Sequence, residues 1–116
     1  MKILALDDDP ALLRIMEAML SHNGHDVTCV ETPEAAIDHV AKEQFDFVLV
    51  DYQMRDKTGV WFMENVKLPR ETKALLVTAT IDRDVINRMF ALGASGYLIK
   101  PFDEADLLHQ LDYHTK

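Results

Sequence analysis

Short apolar runs recur along the chain at even intervals: ILAL at 3–6, VTCV at 27–30, FVLV at 47–50, ALLV at 74–77 and GYLI at 96–99. Each reads as a short strand. Longer segments with helical spacing lie between them. In the clearest, Leu12, Leu13, Met16, Met19 and Leu20 place one apolar face on the stretch from Pro10 to Asn23. Asp9-Pro10 and Thr32-Pro33 each put a capping oxygen just before a proline at the first helical position. Gly24 and Gly93 sit where helices should stop. Further helices are predicted near 59–67, 82–92 and 103–112.

Strands alternating with helices imply right-handed crossovers and a parallel sheet covered on both faces. A strand buried on both faces has no polar side to show, which explains apolar runs without alternation. The fold class is α/β, over one domain spanning 1–116, with no output domain expected.

Composition narrows the function. Twelve Lys and Arg against twenty Asp and Glu give a net charge of -8, which argues against direct nucleic-acid binding or an anionic membrane surface. No apolar run approaches the roughly 18 residues of a membrane span, so a cytoplasmic protein is expected. Cys29 is the one cysteine and reads as a structural thiol. The histidines His22, His25, His39, His109 and His114 share no metal-ligand spacing and read as surface or packing residues. Met16, Met19, Met54, Met63 and Met89 read as core fillers or edge contacts.

Ligands of an open parallel sheet bind outside the carboxyl ends of its strands. The residues following the apolar runs are Asp7 and Asp8, Asp51, Thr78, and Lys100-Pro101. Three acids, a hydroxyl and an amine therefore face one crevice, while Asp9 reads as a helix cap. Crowded carboxylates repel one another unless a cation sits among them. Oxygen-only ligands favour a hard cation, and Mg2+ suits few direct carboxylates plus waters. An acid at a metal with a lysine and a hydroxyl opposite makes a pocket for a phosphoryl group, which the carboxylate can attack.

From ILALDDDP through FVLVDYQM and LLVTA to GASGYLIKPF, the chain resembles the receiver domain of two-component response regulators, the group that includes the chemotaxis regulator fold. The resemblance implies a flavodoxin-like (βα)5 sandwich whose five-stranded parallel sheet runs in the order 2-1-3-4-5. It implies Asp51 as acceptor of a phosphoryl group from a histidine kinase or histidine phosphotransfer protein. Asp8 is then a direct Mg2+ ligand, Asp7 one acting through water, and Asp51 and the backbone carbonyl of Gln53 further ligands. Thr78 and Lys100 bind the phosphoryl group, Tyr97 is the switch aromatic, and Gln53 and Thr80 tune how long the group survives. The Lys100-Pro101 bond is expected to be cis. The output surface is expected on helix four, strand five and helix five, serving an unidentified downstream partner or a homodimer.

Two departures from the family pattern stand out. Many receivers carry proline four residues after the acceptor, whereas this chain has Arg55, which predicts a looser loop from Tyr52 to Thr58. The connection from Asp51 to Thr78 is short around LPRETK, which predicts a trimmed third helix or following loop.

Other readings are weaker. A phosphorylation-independent interaction module would not need a lysine aimed at three acids. A haloacid-dehalogenase-type phosphatase needs a second acid two residues past its nucleophile, where this chain has Gln53. A flavin site needs a Ser-, Thr- or Gly-rich phosphate loop that is missing from the sequence.

Overall fold

In a computed structural model, which describes residues 1–115, strands and helices alternate strictly. They run β1 (Lys2–Leu6), α1 (Pro10–His22), β2 (Asp26–Val30), α2 (Pro33–Lys42), β3 (Phe47–Val50), α3 (Gly59–Asn65), β4 (Lys73–Thr78), α4 (Arg83–Ala91), β5 (Ala94–Ile99) and α5 (Glu104–Thr115). All strand pairs are parallel, in the order β2-β1-β3-β4-β5. This is the flavodoxin-type arrangement expected. Among the described residues no helix is long and apolar enough to cross a membrane.

Strand alternation divides the core between the two faces of the sheet. Ile3, Ala5, Phe47, Leu49, Leu75 and Val77 pack with Leu13, Met16 and Leu20 of α1 and Leu107 and Leu111 of α5. Leu4, Leu6, Val48, Val50, Ala74 and Leu76 pack with Ala36 of α2, Phe62 and Met63 of α3 and Met89 of α4. Each residue of the central strand β3 is buried, because helices cover it from both sides. The outer strands behave differently: β5 alternates, with Ser95 and Tyr97 exposed between buried Ala94, Gly96 and Leu98. The apolar run GYLI thus conceals an edge strand with one solvated face.

Local chemistry sets the ends. Asp9 accepts from the amides of Ala11 and Leu12 at 3.0 and 3.4 Å, and Thr32 accepts from Ala35 at 3.2 Å, each followed by the proline that opens its helix. Gly24 and Gly93 adopt φ of 84° and 115°, where a side chain would be strained. At α5 the Asp106 amide donates to Asp103 Oδ1 at 2.8 Å and the Asp103 amide to Asp106 Oδ2 at 3.1 Å, a reciprocal cap. This helix runs past the predicted end at 112 to Thr115, whose hydroxyl donates to the Leu111 carbonyl at 3.1 Å. By contrast α3 stops at Asn65, short of 67, with Val66 already extended at ψ 147°. Pro69 follows closely and disfavours helix in the residue before it. The shortness predicted for this connection falls on α3, with seven residues the shortest helix described.

Candidate functional site

The loops leaving β1, β3, β4 and β5 meet at one edge of the sheet. Asp7 and Asp51 are held in register by backbone bonds, the Asp7 amide to the Val30 carbonyl and the Asp51 amide to the Leu6 carbonyl, both 3.2 Å. The Lys100 amide donates to the Thr78 carbonyl at 2.9 Å, which carries the lysine across from β4. The Lys100-Pro101 peptide is cis. Lys100 Nζ then lies 2.7 Å from Asp7 Oδ2 and 3.2 Å from Asp51 Oδ2.

Asp7, Asp8 and Asp51 each offer an oxygen, and these oxygens lie within 4.8 Å of one another. An all-oxygen, three-carboxylate donor set fits a hard divalent cation such as Mg2+. Asp7, Asp51 and Thr78 are buried, while Asp8 is half-buried. Burial pushes the Asp51 carboxyl above its ordinary range; the Lys100 charge opposes the shift and the neighbouring Asp7 charge reinforces it. Burial also works against the Lys100 ammonium, but its hydrogen bond to Asp7 and the charges of both acids outweigh that cost and hold its pKa above the ordinary lysine value. The remaining oxygen of Asp7 accepts from the Asp9 amide at 3.0 Å, so the helix-capping residue also orients the buried acid.

Thr78 is buried at the end of β4, and its hydroxyl accepts from the Thr80 amide at 3.3 Å. The Thr80 hydroxyl in turn accepts from the Asp82 amide at 3.2 Å, just ahead of α4. Gln53 is exposed and lines the cleft that also borders Asp8, Arg55 and Thr58. Tyr97 stands outside the cluster on β5, 42% exposed, its ring edge-on to Phe90 of α4 at 6.1 Å between centroids. Asp7, Asp8, Asp51, Thr78 and Lys100 thus converge, while Gln53 and Thr80 lie at the rim and Tyr97 on the adjoining face.

Two features of the site escaped the sequence reading. Gly59 opens α3 directly against the acceptor loop: a Cβ there would lie 2.4 Å from the Asp51 carbonyl oxygen. Thr58, the side-chain cap just before it, marks the position as a helix start but says nothing of that approach. The second is the bond that Arg55 makes to Asp8. The loop from Tyr52 to Thr58 is tethered where looseness was predicted, because the Arg55 amide donates to Asp8 Oδ2 at 2.8 Å. Proline has no N–H and could not make that bond. Further along the loop, Lys57 pairs with Glu34 of α2 at 2.6 Å and the Gly59 amide donates to the Tyr52 carbonyl at 2.9 Å.

The histidines have other occupations. His25 Nδ1 lies 3.0 Å from the N-terminal amine, His39 Nδ1 lies 3.0 Å from Glu43, and the His114 ring packs over Gly96. Met16, Met63 and Met89 are buried, and Met19 and Met54 lie partly buried at the margins of the core.

Known proteins share this fold. The sequence pattern of the response regulator receiver domain matches residues 3–112. The chain is 33% identical to chemotaxis protein CheY-3 of Vibrio cholerae, over 97% of this chain and 89% of that protein. It is 32% identical to a segment of the signal transduction histidine-protein kinase BarA of Shigella flexneri, over 96% of this chain but 12% of the kinase. The structure of chemotaxis protein CheY4 of Vibrio cholerae superposes with a TM-score of 0.90 at 28% identity, covering 97% of this chain and 96% of that one. With its fold, its strand order and nearly its whole length matched, the chain belongs to the response regulator receiver domain family, the signalling module of two-component systems.

Proposed function

We propose that this receiver accepts a phosphoryl group on Asp51 from a phosphohistidine of a histidine kinase or histidine phosphotransfer protein, and passes the signal on by repacking one face. The observation that carries the reading is the single ammonium of Lys100 bonded to both Asp7 and Asp51 beside Asp8. Two buried acids sharing one lysine leave the site rich in negative charge, an arrangement suited to a cation and a transferring phosphoryl group rather than to stability.

In the proposed step a carboxylate oxygen of Asp51 attacks phosphorus and the P–N bond to the donor imidazole breaks. Its electron pair leaves with the imidazole, which takes up a proton from solvent. Lys100 stabilises the charge on the phosphoryl oxygens, for which it must loosen its hold on Asp51. Asp7, Asp8, Asp51 and the Gln53 carbonyl would hold Mg2+, which supplies neutralising charge to the phosphoryl oxygens. Thr78, at the end of the strand beside β3, donates its hydroxyl to a phosphoryl oxygen. That turns Thr78 inward, drawing the Thr80 segment with it and making room for Tyr97 to leave its exposed place against Phe90. The face of α4, β5 and α5 then changes shape, a shift between two conformations biased by local charge. Gln53 and Thr80, at the rim, govern how readily water reaches the phosphoryl group and so how long it persists.

The surface that answers to a downstream protein or a second copy carries exposed Tyr97, Phe90, Ile81 and Tyr113. We place the protein in the cytoplasm, away from nucleic acid as a direct partner, and assign it no turnover beyond gaining and losing its own phosphoryl group. Incubation with Mg2+ and a small phosphodonor tests the reading. The protein should gain one phosphoryl mass, Asp51→Asn should gain none, and equal labelling of the two would sink the assignment.

A further inference from the structure

Lys100 serves Asp7 and Asp51; the third acid has a cation of its own. Arg55, 47 residues away in the chain, reaches Asp8 three times: its amide donates to Oδ2 at 2.8 Å, its Nε lies 3.4 Å from the same oxygen, and an Nη donates to the Asp8 carbonyl at 3.2 Å. We infer that Arg55 is a built-in counter-ion that competes with a divalent cation for Asp8 and thereby sets the metal affinity of the site. This rests on the reading of Asp8 as a metal ligand.

Geometry supplies the competition. Mg2+ demands a near-ideal shell of oxygens and pulls electron density from each of them. The Asp8 oxygen that accepts the amide is also the one facing the guanidinium. A cation using that oxygen meets a like charge beside it and a lone pair already engaged, so it must share the oxygen or displace the arginine. Release is easy, since the Arg55 side chain is 81% exposed against 23% for Asp8. An exposed pair is weak and screened by salt. The guanidinium is therefore a modest, reversible competitor rather than a lock. By linkage, whatever Arg55 takes from metal affinity the metal takes from the Arg55 contact. Metal binding then frees the Arg55 side chain, while the backbone of the loop stays tied by Lys57 on Glu34 and the Gly59 amide on Tyr52.

The position also separates backbone from side chain. Alanine at 55 would retain the amide bond to Asp8 and lose only the guanidinium, so Arg55→Ala tests the competitor without removing the tether. Lysine would keep the charge and lose the planar fork. Lys57→Ala removes the same charge from a neighbouring residue that pairs with Glu34 instead.

The full chain, labelled with nitrogen-15, is titrated with Mg2+ alone, and the dissociation constant is read from amide shifts around Asp8 and Gly59. We expect Arg55→Ala to bind Mg2+ roughly two- to fivefold tighter than wild type at about 0.05 M salt, the gain fading at about 0.5 M. Arg55→Lys should fall between the two, and Lys57→Ala should move affinity less than Arg55→Ala. In the wild type the Arg55 Nε–H resonance should shift with the same midpoint as the amides. An Arg55→Ala protein that binds no tighter, or a Lys57→Ala protein that tightens as much, overturns the inference and leaves Asp8 a metal ligand. A wild type that binds no Mg2+ overturns both readings together.

Discussion

The ammonium of Lys100 lies 2.7 Å from the carboxylate of Asp7, a side chain that is almost wholly buried. No other charge of opposite sign bonds Asp7 among the described contacts; its second oxygen takes a backbone amide from Asp9 at 3.0 Å. Lys100→Met would leave Asp7 and Asp51 buried side by side without their shared cation. Removing one partner of a buried pair exposes the desolvation cost of the other. We expect a loss of about 1–3 kcal/mol, below that of a sealed pair because Lys100 remains partly open to water. Chemical denaturation at neutral pH in a chelator measures it, and Asp7→Asn in the Lys100→Met background should restore part of the loss.

Asp51 makes the opposite prediction. Its carboxyl is held above the ordinary 3.8, first by burial, so the native state binds its proton more tightly than the unfolded chain does. Stability from this group is therefore greatest at acid pH and falls as pH rises from 3.8 through the raised native value. Asp51→Asn should be more stable than wild type near neutrality without metal, and the difference should shrink as the medium is acidified. Denaturation midpoints across that range decide it; a variant less stable than wild type at neutral pH would mean that the bond to Lys100 outweighs burial.

The fold was largely legible because burial on both faces writes itself as continuous apolar runs. FVLV at 47–50 coincides with β3, and the acids that follow β1 and β3 could be placed from strand ends alone. Less legible was whatever depends on how elements approach one another. Tyr97 alternates outward because β5 is an edge, a fact of strand order rather than of the run GYLI. Arg55 read as the lack of a proline, whereas its significance lies in an amide and a guanidinium meeting an acid 47 residues earlier. Gly59 read as an ordinary residue at a helix start, since the Asp51 carbonyl it makes room for leaves no trace in local sequence.

Cys29 offers a chemical measure of packing at the outer strand β2. Burial, followed by the charge of Glu17, pushes its thiol up from 9.0 to about 11. The thiolate is the reactive form, so alkylation near neutral pH should be on the order of 100-fold slower in the native protein than in denaturant. A raised thiol pKa also means stability that is intact below 9.0 and lost as pH rises through about 11. Cys29→Ser should lose that part of the alkaline sensitivity. Native labelling as fast as in denaturant would show that the thiol is not shielded.

Two glycines predict different costs for the same added methyl. At Gly59 a Cβ would meet the Asp51 carbonyl at 2.4 Å and the Tyr52 α-carbon at 3.1 Å, both backbone. Nothing there can swing aside without moving the acceptor strand or the start of α3. At Gly96 the obstacle is the His114 ring, with Nε2 at 2.4 Å, a side chain on the last turn of α5 that can rotate. Gly59→Ala should therefore cost about 1–3 kcal/mol, as overpacking against rigid surroundings does, and should disturb labelling of Asp51. Gly96→Ala should cost less than about 1 kcal/mol and act through the ring alone. In the native protein partial burial and then the Lys73 charge hold the His114 pKa below 6.5; a ring displaced into water should titrate closer to 6.5 in a proton NMR titration. Replacing the ring settles the cause: in a His114→Ala background the Gly96→Ala cost should vanish, because the two positions are coupled only through that contact. A cost that persists would place the strain in β5 itself.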